Sequence, residues 1–425
     1  MLERFTKLLI FCFLFLTDFR IFSIPIPTII LLSGIMFILI FYKKKSIRSI
    51  FLKDKIKGLL ALILLLTITT YFLNVGNIES VSQINYYNSG VKTDYLYLKM
   101  AMNGVFLILT VILALSIGIS YKGKEEAIKR IIKFLINLIT INALINVIAW
   151  GIQTGGVIGR YNFKMPIISS FGINILWSIL GFILQLSLIK NLRKFTLEIK
   201  LVILFLSILI ILSRKNQLMF VFILMLYLYL STRKVTKLMV VAFIFIFMTS
   251  ITYYAQSIFN TAFIHTYQEM LNPQGDDLLV RYDTLISALK IFKENIIFGI
   301  GYGMFAGYNL STVSITGVNY NLGSVHNGII SILTEMGITG IILNIIIAYS
   351  IIRKLNIVRK YKSQYNLAHN KYIIAIFVFI TVNIFAALTS NYFLLPPPSE
   401  FSYYGLAFVS WLLIGIVFSL QKKYD

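Results

Sequence analysis

His326 heads an apolar stretch in which Asn327, Ser331, Thr334 and Glu335 recur at helical spacing. One helix would therefore carry an imidazole at its start and a polar seam below it. A neutral imidazole, with an ordinary pKa of about 6.5, can accept a proton from a hydroxyl, so His326 is the general-base candidate. The plainer reading is an interfacial histidine that caps or packs. Neither His265 nor His369 has a comparable frame. Glu335 could orient a catalytic group or brace a neighbouring helix by hydrogen bonding. Arg160, Arg214 and Arg281 are candidates for holding a diphosphate, because guanidinium pairs with phosphate oxygens bidentately. Each could also be a solvated or headgroup contact.

Other patterns carry less. Gly299-x-Gly301-x-Gly303 follows no strand of a βαβ unit, so it is no nucleotide fingerprint; it predicts a sharp turn near lipid or substrate. Asp276-Asp277 is the nearest thing to a metal site, but the chain has no Asp-x-Asp pair, and the expected chemistry uses neither metal nor cofactor. Tyr282, Tyr302, Phe305, Tyr308 and Tyr320 could stack on sugars, although interfacial aromatic belts explain them more simply. Gly337 and Gly340 would let helices pack closely. Cys12 is the single cysteine, so no intramolecular disulfide can form.

The elements that must position these residues are membrane helices. A hydrophobic fraction of 58%, only 13% charged residues and a mean hydropathy of +0.84 exclude a soluble protein of this length. The expected fold is all-α and polytopic, with about twelve spans near 5–19, 24–42, 58–75, 100–120, 134–151, 167–189, 200–213, 217–230, 238–258, 326–351, 372–392 and 402–420. The first is short and follows a charged start as a signal peptide would, but no small-residue cleavage site follows it. With the N-terminus cytoplasmic, the inner segments hold 29 of the 39 Lys and Arg but only 6 of the 16 acids. They include seven cations in 43–57, five in 122–133 and six in 353–371. The net charge of +23 thus gathers on one side, as insertion requires, and speaks for a membrane rather than nucleic acid.

One choice fixes the rest of the threading. Read as a single helix, 201–230 would bury Arg214 near mid-membrane at about 2.5–3.5 kcal/mol, with Lys215 beside it, and would turn the later basic clusters outward. Two short helices meeting at Ser213–Gln217 avoid both penalties. The outer segments are then 76–99, 152–166, 213–217, 259–325 and 393–401, with both termini cytoplasmic. The 259–325 loop is much the longest. Within it, Leu285, Ala288, Leu289 and Phe292 share one helical face, which predicts an amphipathic helix lying on the outer interface. Arg160, Arg214, Arg281 and His326 all fall at this outer side, where basic residues are scarce. No repeat or boundary splits off a soluble domain, so 1–425 reads as one integral membrane domain.

The run His326-Asn327-x-x-Ile330-x-x-Leu333-x-Glu335-x-Gly337-x-x-Gly340 resembles the signature of the O-antigen polymerase and ligase superfamily. Similar to that family as well are Gly159-Arg160-Tyr161 in an outer loop, Ser213-Arg214 between two helices, and Arg281 opening the segment before the glycine run. The resemblance covers mainly 160–340. It implies a bacterial inner-membrane enzyme that moves a glycan from undecaprenyl diphosphate to an acceptor outside the membrane. Arg214 and Arg281, with Arg160, would hold the diphosphate, His326 would activate the acceptor hydroxyl, and Asn327 and Glu335 would support it. Implied partners are the undecaprenyl-diphosphate-linked oligosaccharide and membrane lipids, with a chain-length regulator and a flippase as accessories. The proline often found before the glycine run is absent, Ile296 standing in that neighbourhood, and Lys215 follows the Ser-Arg pair where a small residue is commoner.

The expected function is polymerisation of oligosaccharide repeat units into a surface polysaccharide: O-antigen, capsule or exopolysaccharide. The alternatives are an O-antigen ligase delivering glycan to lipid A core, and a lipid-linked sugar transporter. A transporter would place polar residues along a path through the membrane and show repeat symmetry. A purely structural partner of an export complex is a third class.

Overall fold

A computed structural model describes residues 2–16, 20–21, 24–41, 55–74, 93–154, 171–188, 195–210, 214–231, 276–305, 325, 327–362, 367–386, 395 and 402–420; at some helix ends, including 93–100, 214–218 and 276–283, only the backbone course is described. Twelve helices occupy these residues. They are α1 (Leu2–Phe15), α2 (Ile26–Phe41), α3 (Lys55–Asn74), α4 (Thr93–Ile119), α5 (Glu125–Thr154), α6 (Phe171–Leu188), α7 (Phe195–Ile210), α8 (Arg214–Ser231), α9 (Asp276–Glu294), α10 (Gly328–Lys362), α11 (Leu367–Ala386) and α12 (Ser402–Ser419). The one extended pairing among them is a two-residue antiparallel bridge of Arg20–Ile21 with Ile24–Pro25.

Apart from that bridge the described residues form no strands, as composition requires, and their helices meet the predicted segments closely. Four are long and apolar enough to cross a membrane: Lys55–Asn74, Ala101–Ile119, Glu125–Ile152 and Gly328–Arg359. Six more described stretches are apolar but shorter. The predicted span at 238–258 lies outside the described residues. Large apolar side chains stand exposed in helical stripes, Ile141, Leu144, Ile148 and Ile152 on α5 and Ile338, Ile342, Ile345 and Tyr349 on α10. Water would penalise such stripes, whereas lipid solvates them, so this is a membrane protein.

The chain divides into two compact units, one of Met1–Lys124, Leu279–Lys354 and Asn383–Asp425, the other of Glu125–Leu278 and Leu355–Val382. In the first, α12 is the central helix. It is apolar all round and buried from Tyr404 to Leu420, as such a helix must be. Its closest partner is α4, and the two backbones meet at Gly118 and Gly415, where a methyl added to Gly118 would lie 2.7 Å from the Gly415 Cα. Phe13 of α1 stacks on Phe408 at 4.2 Å, Thr6 shares a 2.7 Å hydrogen bond with the Tyr121 hydroxyl, and Tyr404 donates to the Asn103 carbonyl at 2.8 Å. In the second unit α5, α6 and α7 pack on one another. Phe182, Phe205 and Phe220 join α6, α7 and α8, and Ser178 and Ser207 pair at 2.9 Å.

Two expectations are corrected. The 200–230 stretch is two helices, as argued, but α5 begins at Glu125, nine residues before its predicted start, because Glu125 and Glu126 suit a helix N-terminus and Lys129 pairs with Glu126 at 2.7 Å. The buried face of α9 is Thr284, Ser287, Ala288 and Ile291, while Leu289 is exposed. Of the predicted apolar face Leu289 is turned outward and Ala288 inward, with two hydroxyls beside it. Tyr302 and Phe305 belong to no interfacial belt and face no open surface, since both are buried.

Candidate functional site

The organising feature is a break in α10. At Gly337 the backbone takes φ 63° and ψ −165°, a region in essence open to glycine alone. An unbroken helix would pair the amides of Ile338 and Thr339 with the carbonyls of Thr334 and Glu335. The break separates both pairs, and four orphaned backbone groups in so apolar a setting would each cost about 1–3 kcal/mol. Residues 296–301 replace every one of them. The Ile338 amide donates to the Ile296 carbonyl (2.9 Å) and the Thr339 amide to Ile297 (3.2 Å), while the amides of Ile300 and Gly301 donate to Thr334 (3.1 Å) and Glu335 (2.7 Å). The segment after α9 is thus stitched across the break.

That stitch explains the glycine run. Gly299 has φ 67° and lies so close to α10 that any Cβ would strike the Glu335–Met336 peptide. A Cβ on Gly337 would strike the Ile297 carbonyl from the opposite side. The expectation that Gly337 lets two helices pack is therefore replaced by a helix break that admits a turn. Gly340 instead leaves room for Met336 of its own helix.

Glu335 closes the turn from the side-chain direction. It is 4% exposed, and its carboxyl oxygen accepts the Phe305 amide at 3.2 Å with the Gly303 amide also facing it. Amide dipoles aimed at the carboxyl offset part of the cost of burying it. Around the turn, Asn74 of α3 donates to the Ile300 carbonyl at 3.1 Å, and Gly104 of α4 leaves space for the Tyr302 backbone. Ala288, Ile291, Ile300, Met304, Phe305 and Val325 form one buried cluster with Ala101.

The polar seam of α10 faces the interior, as predicted. Asn327 is the N-cap, its side-chain oxygen accepting the amides of Ile329 (3.1 Å) and Ile330 (3.2 Å). Thr334 donates its hydroxyl to the carbonyls of Ile330 (2.8 Å) and Ala288 (3.2 Å), the latter on α9. This bond sets the register of α9 against α10. Because 288 meets 334 and 296–297 meet 338–339, the chain runs in the same sense through both contacts. Two turns back from the bond, about 10 Å along each helix, lie the Arg281 position of α9 and Asn327, the cap of α10.

The remaining predicted site residues differ in what can be said of them. The Arg281 backbone lies in α9, and Arg214 opens α8 in the second unit; the side chains of both lie outside the described residues. Arg160 and His326 lie outside them altogether, as do Tyr308 and Tyr320. His326 stands in the chain between buried Val325 and the cap Asn327. Sequence reasoning missed Asn74, Gly104 and the Thr334–Ala288 bond. The signal for the break was present, since a glycine in mid-helix costs about 1 kcal/mol against alanine and asks for a reason.

Residues 199–345 match the family model described as O-antigen ligase. That stretch is similar to the O-antigen polymerase and ligase superfamily. The match runs from α7 into α10 and takes in Arg214, Arg281, the glycine turn, His326, Asn327 and Glu335, with Arg160 preceding it. No curated protein matches the chain.

Proposed function

We propose that this chain is a membrane glycosyltransferase that polymerises undecaprenyl-diphosphate-linked oligosaccharide repeat units into a surface polysaccharide on the outer face of the bacterial cytoplasmic membrane. About twelve spans, both termini cytoplasmic, and the two compact units as parts of one membrane domain belong to this reading. The observation that carries it is the α9–α10 register, which brings the Arg281 and Asn327 positions to the same end of a braced helix pair, with His326 next in the chain. Arg214 and Lys215 open α8, where the helix N-terminus already favours an anion.

In the proposed reaction His326 accepts the proton of an acceptor hydroxyl. The hydroxyl oxygen bonds to the anomeric carbon as the carbon–oxygen bond to the diphosphate breaks. Undecaprenyl diphosphate leaves with the bonding pair, its charge held by Arg214, Arg281 and Arg160. No metal takes part. A chain-length regulator and a flippase would serve the same assembly. The matching family's description favours a second reading, transfer of finished glycan to lipid A core.

The test is the envelope glycan of a deletion strain complemented with the wild-type gene or His326→Ala at equal membrane abundance. Long chains with wild type and single-repeat product with the variant are expected. Long carrier-linked chains that never reach lipid A in the deletion strain would instead establish the ligase. An unchanged ladder with His326→Ala would remove His326 from the reaction.

A further inference from the structure

We propose that Glu335 is a positioning residue for the transfer reaction, acting by reach rather than by charge: it holds the glycine turn in the break of α10 and so fixes where the head of that helix stands. The inference rests on the function proposed above and adds a role that the chemistry does not require.

The argument follows the backbone. Residues 328–336 form a half-helix with Asn327 as its cap, separated from the rest of α10 by Gly337. A half-helix joined through a glycine swings unless something outside the helix sets its angle. The four bonds to 296–301 set it, provided the turn itself is rigid. Three of the turn's residues, Gly299, Gly301 and Gly303, have positive φ and no side chain to pack, so the turn has little stiffness of its own. Glu335 supplies it. Its backbone carbonyl holds the Gly301 amide at 2.7 Å, and its side chain reaches past that point to the Phe305 amide at 3.2 Å, with Gly303 between. One residue thus grips the turn at both ends. Asn74, on α3, holds the Ile300 carbonyl from the other side.

The carboxyl group is buried against backbone amides and is spent on them. What the brace needs is an acceptor oxygen at the end of a two-methylene side chain, which glutamine supplies and aspartate does not. Charge and reach are therefore separable by substitution.

The experiment uses full-length protein in proteoliposomes, fed glycolipid extracted from the deletion strain, with product growth followed over a range of extract concentrations. Glu335→Gln is expected within about twofold of wild type in kcat. Glu335→Asp and Glu335→Met should fall about tenfold or more in kcat, with KM for the extract changed by less than about threefold, because misplacing a catalytic group by about 1 Å is enough to slow chemistry. Hydrogen exchange of the peptide containing Gly303 and Phe305 should quicken in Asp and Met and stay slow in Gln. All rates are taken per folded molecule, and the Asp variant, which keeps the charge, stands in if Met does not accumulate. Aspartate active with glutamine impaired would overturn the proposal in favour of a charge role, and so would wild-type kcat in both Asp and Met. Wild-type protein inert on the extract would overturn the proposed function itself, a result distinct from either.

Discussion

Replacing Gly337 by alanine tests the bridged helix break most directly. Two responses are open to the variant. It can keep the break, holding alanine at φ 63° and ψ −165° at about 1–3 kcal/mol, and push the Ile296 and Ile297 carbonyls off a Cβ that would lie 2.7 Å from the Ile296 oxygen. It can instead straighten α10, restoring two helical bonds but orphaning the carbonyls of Ile296 and Ile297 and the amides of Ile300 and Gly301, about 1–3 kcal/mol for each buried group. The first is cheaper, and with the steric push the expected loss is about 3–5 kcal/mol. Two controls isolate the terms. Gly123 has φ 75° and open space around its Cβ, so Gly123→Ala costs about 1–2 kcal/mol from conformation alone. Gly58 sits in α3 with open space and an ordinary φ, so Gly58→Ala should be neutral or stabilising by about 0.5–1 kcal/mol. The assay is heating of purified protein in detergent, with the folded fraction read by fluorescence-detected size exclusion. The expected order of midpoints is Gly58→Ala at or above wild type, then Gly123→Ala, then Gly337→Ala on the order of 10 °C below wild type. A midpoint for Gly337→Ala at or above that of Gly123→Ala would refute the reasoning, because the clash and the bridge would then carry no energy.

Further expectations follow from single contacts. Asn327→Ala removes the cap of α10 and should cost about 1 kcal/mol, with Asn327→Asp or Asn327→Ser recovering most of it in the same melting assay. Gly118→Val drives a branched side chain into the Gly415 backbone and should lower stability by about 1–3 kcal/mol, whereas Gly151→Val, with open space around its Cβ, should cost less than half of that.

Much of this fold was legible in the sequence because membrane insertion writes its rules locally. Apolar runs had to become helices, since lipid satisfies no backbone group. The cations of 213–217 had to interrupt one such run, and α7 and α8 are indeed separate helices. The seam of Asn327, Ser331, Thr334 and Glu335 had to face the interior, and Ser331, Thr334 and Glu335 are buried. For α9 the periodicity marked an apolar face but not which residues would pack on protein. Beside lipid Leu289 needs no burial in protein, while Thr284 and Ser287 do, and both are buried.

The sequence by itself determined the class of solvent, the helical architecture and the superfamily signature, because each depends on residue type and spacing along one chain. Only the tertiary structure decided why that signature holds Gly299, Glu335 and Gly337 together. Their constraint is mutual: the break at Gly337 exposes backbone groups that the 296–301 segment must satisfy, and that segment fits only where Gly299 bears no side chain. Such a requirement joins residues nearly forty positions apart, so no local pattern could state it.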